Sequence, residues 1–149
     1  MNLEVPMALK LDHDEMRAEL SKAVKEHGPI GKAAQELVRI LLPHLGREEK
    51  IAFPALGLLH ELASGDVTPE MASVVPLIAQ FRTGLDAFQA EHARIDAALH
   101  ALLEAARKEG SGEYTQFAYR AMVHEKIEEA VIYPAVLVIG KYIQEKLKR

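Results

Sequence analysis

The chain contains no cysteine. That excludes disulfides, thiol catalysis and Cys-ligated zinc or iron–sulfur centres, and it leaves the redox compartment open. Aromatic residues make up only 5%, and the alternating Val, Ile, Thr and Tyr pattern of strands is missing except near residues 136–139. There is no basic run, and the formal net charge is −4, so nothing points to nucleic acid. No apolar stretch approaches the roughly 20 residues that span a bilayer. Residues 1–10 are mildly apolar but too short and too acidic for a secretory signal. The expectation is a cytoplasmic protein without a membrane partner. Low-complexity segments and linkers are also missing.

What is present is the balance of an ordinary globular chain: 49% apolar and 27% charged residues over 149 positions, enough for a core and for one domain spanning 1–149. Ala, Leu, Glu and Lys dominate, which makes the expected class all-α.

Four helical stretches are predicted. The first runs over residues 6–26, with Pro6 at the first helical position and a stripe of Leu9, His13, Met16, Leu20 and Val24. His27-Gly28-Pro29 stops it. The second covers residues 30–63, with Ala34, Leu37, Leu41, His44 and Glu48 on one face. Pro43 and Pro54 fall inside it, where each removes a donor and crowds a carbonyl, so a kink or widened turn is expected rather than two helices. Thr68 caps the third, which opens at Pro69, extends to 108 and bends at Pro76. The fourth covers residues 113–146, bends near Pro134 and has a basic end, Lys146, Lys148 and Arg149. Short connections make this an up-down antiparallel four-helix bundle.

One block occurs twice. His44, Glu48, Glu49, Phe53, Pro54 and Ala55 recur 80 positions later as His124, Glu128, Glu129, Tyr133, Pro134 and Ala135. An earlier histidine precedes each block: His13 lies 31 residues before His44, and His92 lies 32 before His124. Asp12-His13 matches Glu91-His92. The bundle is thus expected to be an internal two-fold pseudo-repeat of helical hairpins.

A step of four on an α-helix leaves two residues about 40° apart in azimuth and about 6 Å apart along the axis, whereas a step of five lands about 140° away. His44 with Glu48, and His124 with Glu128, therefore point together. Glu49 and Glu129 should face out or support a ligand from outside, unless a π-bulge turns them in. Phe53 and Tyr133 fall about 180° from the histidine direction and are read as packing beside the proline bends. Four imidazoles and two carboxylates are too many for one tetrahedral zinc. They suit two octahedral ions, each with two histidines, bridged by the carboxylates. Burying two glutamates without a cation would be costly, so the pattern itself argues for metal. The expected metal ligands are His13, His44, Glu48, His92, His124 and Glu128. His27, His60 and His100 are read as exposed. Leu41, Phe88, Phe117, Met122 and Ile127 are read as core packing, with a dry ligand pocket as the alternative.

Together, His13-Asp14, His44-x3-Glu48-Glu49 with Phe53-Pro54, Glu91-His92, and His124-x3-Glu128-Glu129 with Tyr133-Pro134 resemble the hemerythrin-like, or HHE cation-binding, family over most of the chain. The resemblance implies a four-helix bundle around two non-haem iron ions, carboxylate- and oxo- or hydroxo-bridged, with manganese or zinc as alternatives. It implies binding of, or reaction with, oxygen or a related small ligand such as nitric oxide or peroxide. Oxygen carriers of the family have His-x3-His on the third helix, where this chain has His92-x3-Asp96. Asp96 is accordingly either a terminal ligand, or a solvated carboxylate or one that orients an imidazole. They also take the second bridging carboxylate at the position of Glu129. The spacing here is more like that of the family's iron-centre repair proteins, whose cysteine-bearing N-terminal segment is missing. Two other readings stand beside the first: an iron donor, sensor or repair protein acting on another macromolecule, and a bundle stapled by structural zinc. Redox turnover of peroxide or oxygen would make the protein an enzyme; a binding role would not.

Overall fold

The computed structural model describes residues 3–148. Arg149, the last residue of the expected basic end, lies outside them. The described residues are helical throughout their ordered elements and form no strand; residues 136–139 lie inside a helix.

Helix α1 spans Met7–Ala23. Pro6 stands one position outside it, and its carbonyl accepts from the Leu9 and Lys10 amides at 3.0 and 3.1 Å. The helix ends three residues before the expected 26. Its last amides bond at the tighter three-residue spacing, Lys25 to Lys22 and Glu26 to Ala23. Gly28 then adopts φ 77°, a conformation that favours glycine, and hands the chain to Pro29.

Helix α2 spans Pro29–Arg47 and holds Pro43 inside it. A π-helical turn, Glu48–Ala52, follows, then a 3-10 segment, Phe53–Leu58, and a short helix α3, Leu59–Ala63. The expected long helix is therefore one helical path whose pitch changes. Pro54 has no N–H to offer the previous turn, and the extra residue of the π turn takes up the misfit.

The third stretch opens with a 3-10 segment, Pro69–Val74. It continues as α4, Val75–Thr83, and α5, Leu85–Lys108, which meet at Gly84. Thr68 has the extended backbone of a cap, but its side chain makes no capping bond. The break falls at Gly84, a poor helix former. Helix α6 spans Gly112–Ile127 with the Ser111 side chain accepting from the Tyr114 amide. A second π turn, Glu128–Ile132, leads into α7, Tyr133–Leu147, with Pro134 in its first turn. Both π turns thus begin six residues before a proline.

Helix α2 packs along α5, α5 along α6, and α1 against both α2 and α6, while α4 packs on α7. Gly140 makes the last contact close: a Cβ there would stand 2.7 Å from Ile78 Cγ2. Two apolar clusters result. One gathers Leu20, Leu37, Leu41, Ile95, Leu102 and Phe117. The other gathers Phe53, Met71, Phe81, Phe88, Tyr133 and Val136. Each helical path passes from one cluster to the other across buried polar residues: His13 on α1, His44 and Glu48 on the second path, His92 on α5, and His124, Glu125 and Glu128 on the last.

Candidate metal centre

The structure brings all six residues singled out in the sequence into this interior layer. His13, His44, Glu48 and Glu128 are fully buried, His92 is 2% exposed and His124 9%. They form two groups that share both carboxylates: His13, His124, Glu48 and Glu128, and His44, His92, Glu48 and Glu128. Within each group the candidate ligand atoms all lie within 4.8 Å of one another. The layer could hold metal ions.

All four imidazoles aim Nε2 at the centre and Nδ1 at a carboxylate outside it. His13 Nδ1 lies 2.7 Å from Glu49 Oε2, His44 Nδ1 3.0 Å from Glu91 Oε1, and His92 Nδ1 2.9 Å from Glu129 Oε1. His124 Nδ1 contacts Asp12. A carboxylate accepts only from Nδ1–H, so these bonds fix the tautomer and leave each Nε2 as a lone pair. Arg17 backs Glu49 at 2.8–2.9 Å, and Arg47 backs Glu91. Burial opposes the charge on Glu49 and Glu91, yet the guanidinium and imidazole partners hold both carboxyls below the usual range.

The centre left by these bonds is electrostatically incomplete. His44 Nε2 and His92 Nε2 stand 3.1 Å apart, two lone pairs facing each other. His13 Nε2, Glu48 Oε1 and Glu128 Oε1 are buried without a hydrogen-bond partner. In the metal-free chain protons fill the gap. Against burial, facing carboxylates push His44 up to about 11, His92 to about 10 and His124 to about 9. Burial and the neighbouring Glu128 charge push Glu48 up to about 8, against the pull of His44. Glu128 goes the other way: burial disfavours its charge, but His124, His13, His44 and His92 face it and hold it well below the ordinary carboxylate range. A site that recruits cations this strongly, with imidazole and carboxylate donors converging, fits divalent metal.

Glu49 and Glu129 orient imidazoles from outside, as the step of five implied. Two sequence expectations need correction, those for Tyr133 and Ile127, and the alternatives left open for Asp96 resolve to the solvated one. Tyr133 is not mere packing: its hydroxyl donates to Glu48 Oε2 at 2.6 Å and lies 3.0 Å from His92 Nε2. The π turn supplies one extra residue, which brings Tyr133 round to the Glu128 face. Burial and the Glu48 and Glu128 charges push its phenol far up, so it stays a donor. Phe53 does pack, its ring 5.0 Å from that of His13. Asp96 is outside the layer, half exposed and paired with His100 at 3.5 Å; its place on α5 puts its carboxylate at the surface. Ile127 is 47% exposed rather than core, while Leu41, Phe88 and Phe117 are buried and Met122 partly so. His27, His60 and His100 are exposed.

Sequence reasoning passed over Asp12, Glu91 and Glu125. The first two carried a signal, an acidic residue immediately before each early histidine. Glu125 carried another: it stands where the first block has Leu45.

Comparison with protein-family models, curated proteins and solved structures gives no match. No helix among the described residues is long and apolar enough to cross a membrane.

Proposed function

We propose that this chain is a hemerythrin-like protein: an up-down four-helix bundle of two pseudo-repeated hairpins that holds two non-haem iron ions and binds a small ligand such as oxygen, nitric oxide or peroxide. The observation that carries this reading is the pair of buried ligand groups sharing Glu48 and Glu128. Two imidazoles per ion with two shared carboxylates leave an octahedral ion short of ligands, and that is where an exogenous molecule would bind. Iron bound in this way would supply reversible one-electron oxidation and a Lewis-acidic open position.

The residues of the chain divide the remaining work. Glu48 and Glu128 would bridge. Glu49, Glu91, Glu129 and Asp12 hold the imidazoles in the metal-binding tautomer. Phe53, Phe88 and Phe117 exclude bulk water from the layer. Tyr133 presents one hydroxyl to the centre as a hydrogen-bond donor.

The repeat supports the pseudo-symmetric reading. Glu49 reaches His13 as Glu129 reaches His92, and Asp12 reaches His124 as Glu91 reaches His44. Each ion would thus take one histidine from each half.

The test is metal analysis together with an absorption spectrum recorded anaerobically and after exposure to oxygen, nitric oxide and peroxide. Two irons per chain, with charge-transfer bands that respond to these ligands, are expected. Stoichiometric zinc without iron, or a spectrum indifferent to all three, would overturn the reading.

A further inference from the structure

At one buried position the repeat changes from an apolar to a charged side chain. After His44 the first block continues with Leu45, which is fully buried in the apolar core. After His124 the second block continues with Glu125, which is 4% exposed. Both Glu125 oxygens are buried, with no hydrogen-bond partner unless His92 is protonated. An ionised carboxylate left so would cost several kcal/mol. Its Oε2 nevertheless lies 2.8 Å from His92 Nε2, the lone-pair nitrogen that faces the centre. The carboxylate points at the same place as the imidazole, as two ligands of one ion would.

From this the geometry points to Glu125 as a terminal ligand of the His44–His92 ion only, which makes the two ions of the proposed centre inequivalent. This inference rests on the di-metal reading above. The His44–His92 position then has two imidazoles, two bridging carboxylates, a terminal carboxylate and Tyr133 close by. It is nearly saturated and carries the larger negative charge, so it loads first and holds its ion more tightly. The His13–His124 position has no such addition. It keeps the open coordination, and the space beside it agrees. A cavity of about 40 Å³ lined by Asp12, Glu15, Met16, Phe117, Arg120 and His124 opens on the outer side of His124, where Asp12 meets Nδ1, more than the roughly 10–15 Å³ that a water molecule needs. The small ligand would enter on that side.

The test is stepwise titration of metal-free wild type, Glu125→Gln and Glu125→Leu with Fe(II) under anaerobic conditions, read by calorimetry and by Mössbauer spectra of the loaded chains. Wild type should take up two ions in two resolved steps and show two distinct iron signals. Each variant should weaken the tighter step about 10- to 100-fold and draw the two signals together. Thermal unfolding of the metal-free chains separates a ligand from a structural ion-pair partner. Glu125→Leu, which puts into the second block the side chain of the first, should raise metal-free stability if Glu125 is held there for a metal. A drop in metal-free stability with both binding steps unchanged would overturn the inference and leave the di-metal reading standing. Wild type that binds fewer than two ions would overturn both.

Discussion

The Tyr133 hydroxyl donates to Glu48 Oε2 at 2.6 Å, joining the start of α7 to the first π turn across the interior layer. Tyr133 is 3% exposed and Glu48 fully buried, so neither has water as a substitute. Tyr133→Phe removes the donor and leaves the carboxylate oxygen buried without it. The metal-free protein should lose about 1–3 kcal/mol, measured by urea unfolding. Metal stoichiometry should be unchanged, because the hydroxyl is a neighbour of the ligands rather than one of the bridging groups.

Sharing of Glu48 and Glu128 predicts an asymmetry between substitutions. Glu128→Gln should cost both ions, since both ligand groups use that carboxylate. His124→Ala should cost one and leave the His44–His92 ion. Metal content per chain after gel filtration decides this; two ions retained in His124→Ala would rule out the assignment of His124.

The outer carboxylates should matter nearly as much as the ligands they orient. Glu49→Gln and Glu91→Gln free the imidazoles of His13 and His44 from their fixed tautomers. Metal affinity should fall about 10- to 100-fold, with the fold unchanged by circular dichroism. Affinities equal to wild type in a competition titration would show the contacts to be incidental.

Metal removal should make stability pH-dependent. In the metal-free chain His44, His92 and His124 have folded-state values raised to about 11, 10 and 9. A raised value contributes stability that is complete below the unfolded value, near 6.5, and is lost as pH rises through the folded one. Glu48, raised to about 8, acts in the same direction. The melting temperature of the chelated protein should therefore fall between pH 7 and 10, and that of the loaded protein should fall less. Metal uptake at pH 7 should release protons, visible as a dependence of binding heat on the buffer.

The candidate site was legible to the extent that the helix is regular. His44 with Glu48, and His124 with Glu128, obey the step of four because all of α2 and α6 upstream of the π turns keeps the ordinary pitch. The same regularity sends Glu49 and Glu129 away from the centre, towards His13 and His92. Beyond the π turns the counting fails. Nine steps from His124 put Tyr133 about 180° away on an ideal helix, and one residue absorbed by the π turn changes that to about 80°. For Asp96 helix counting left two readings open, and the structure shows the solvated one. One turn from His92 is near enough in azimuth to suggest the layer, but its carboxylate lies at the α5 surface with His100.

Sequence alone determined the residue types, the two-fold recurrence and the all-helical class, since periodicity and spacing are local properties of one chain. Which imidazole faces which carboxylate was decided by the packing of α1, α2, α5 and α6 around one layer, because those partners come from different helices. The pairing of Asp12 with His124, Glu91 with His44 and Tyr133 with Glu48 has no local signature. Each depends on how far two helices are rotated about their own axes, and the Tyr133 pair depends also on the π turn that precedes it.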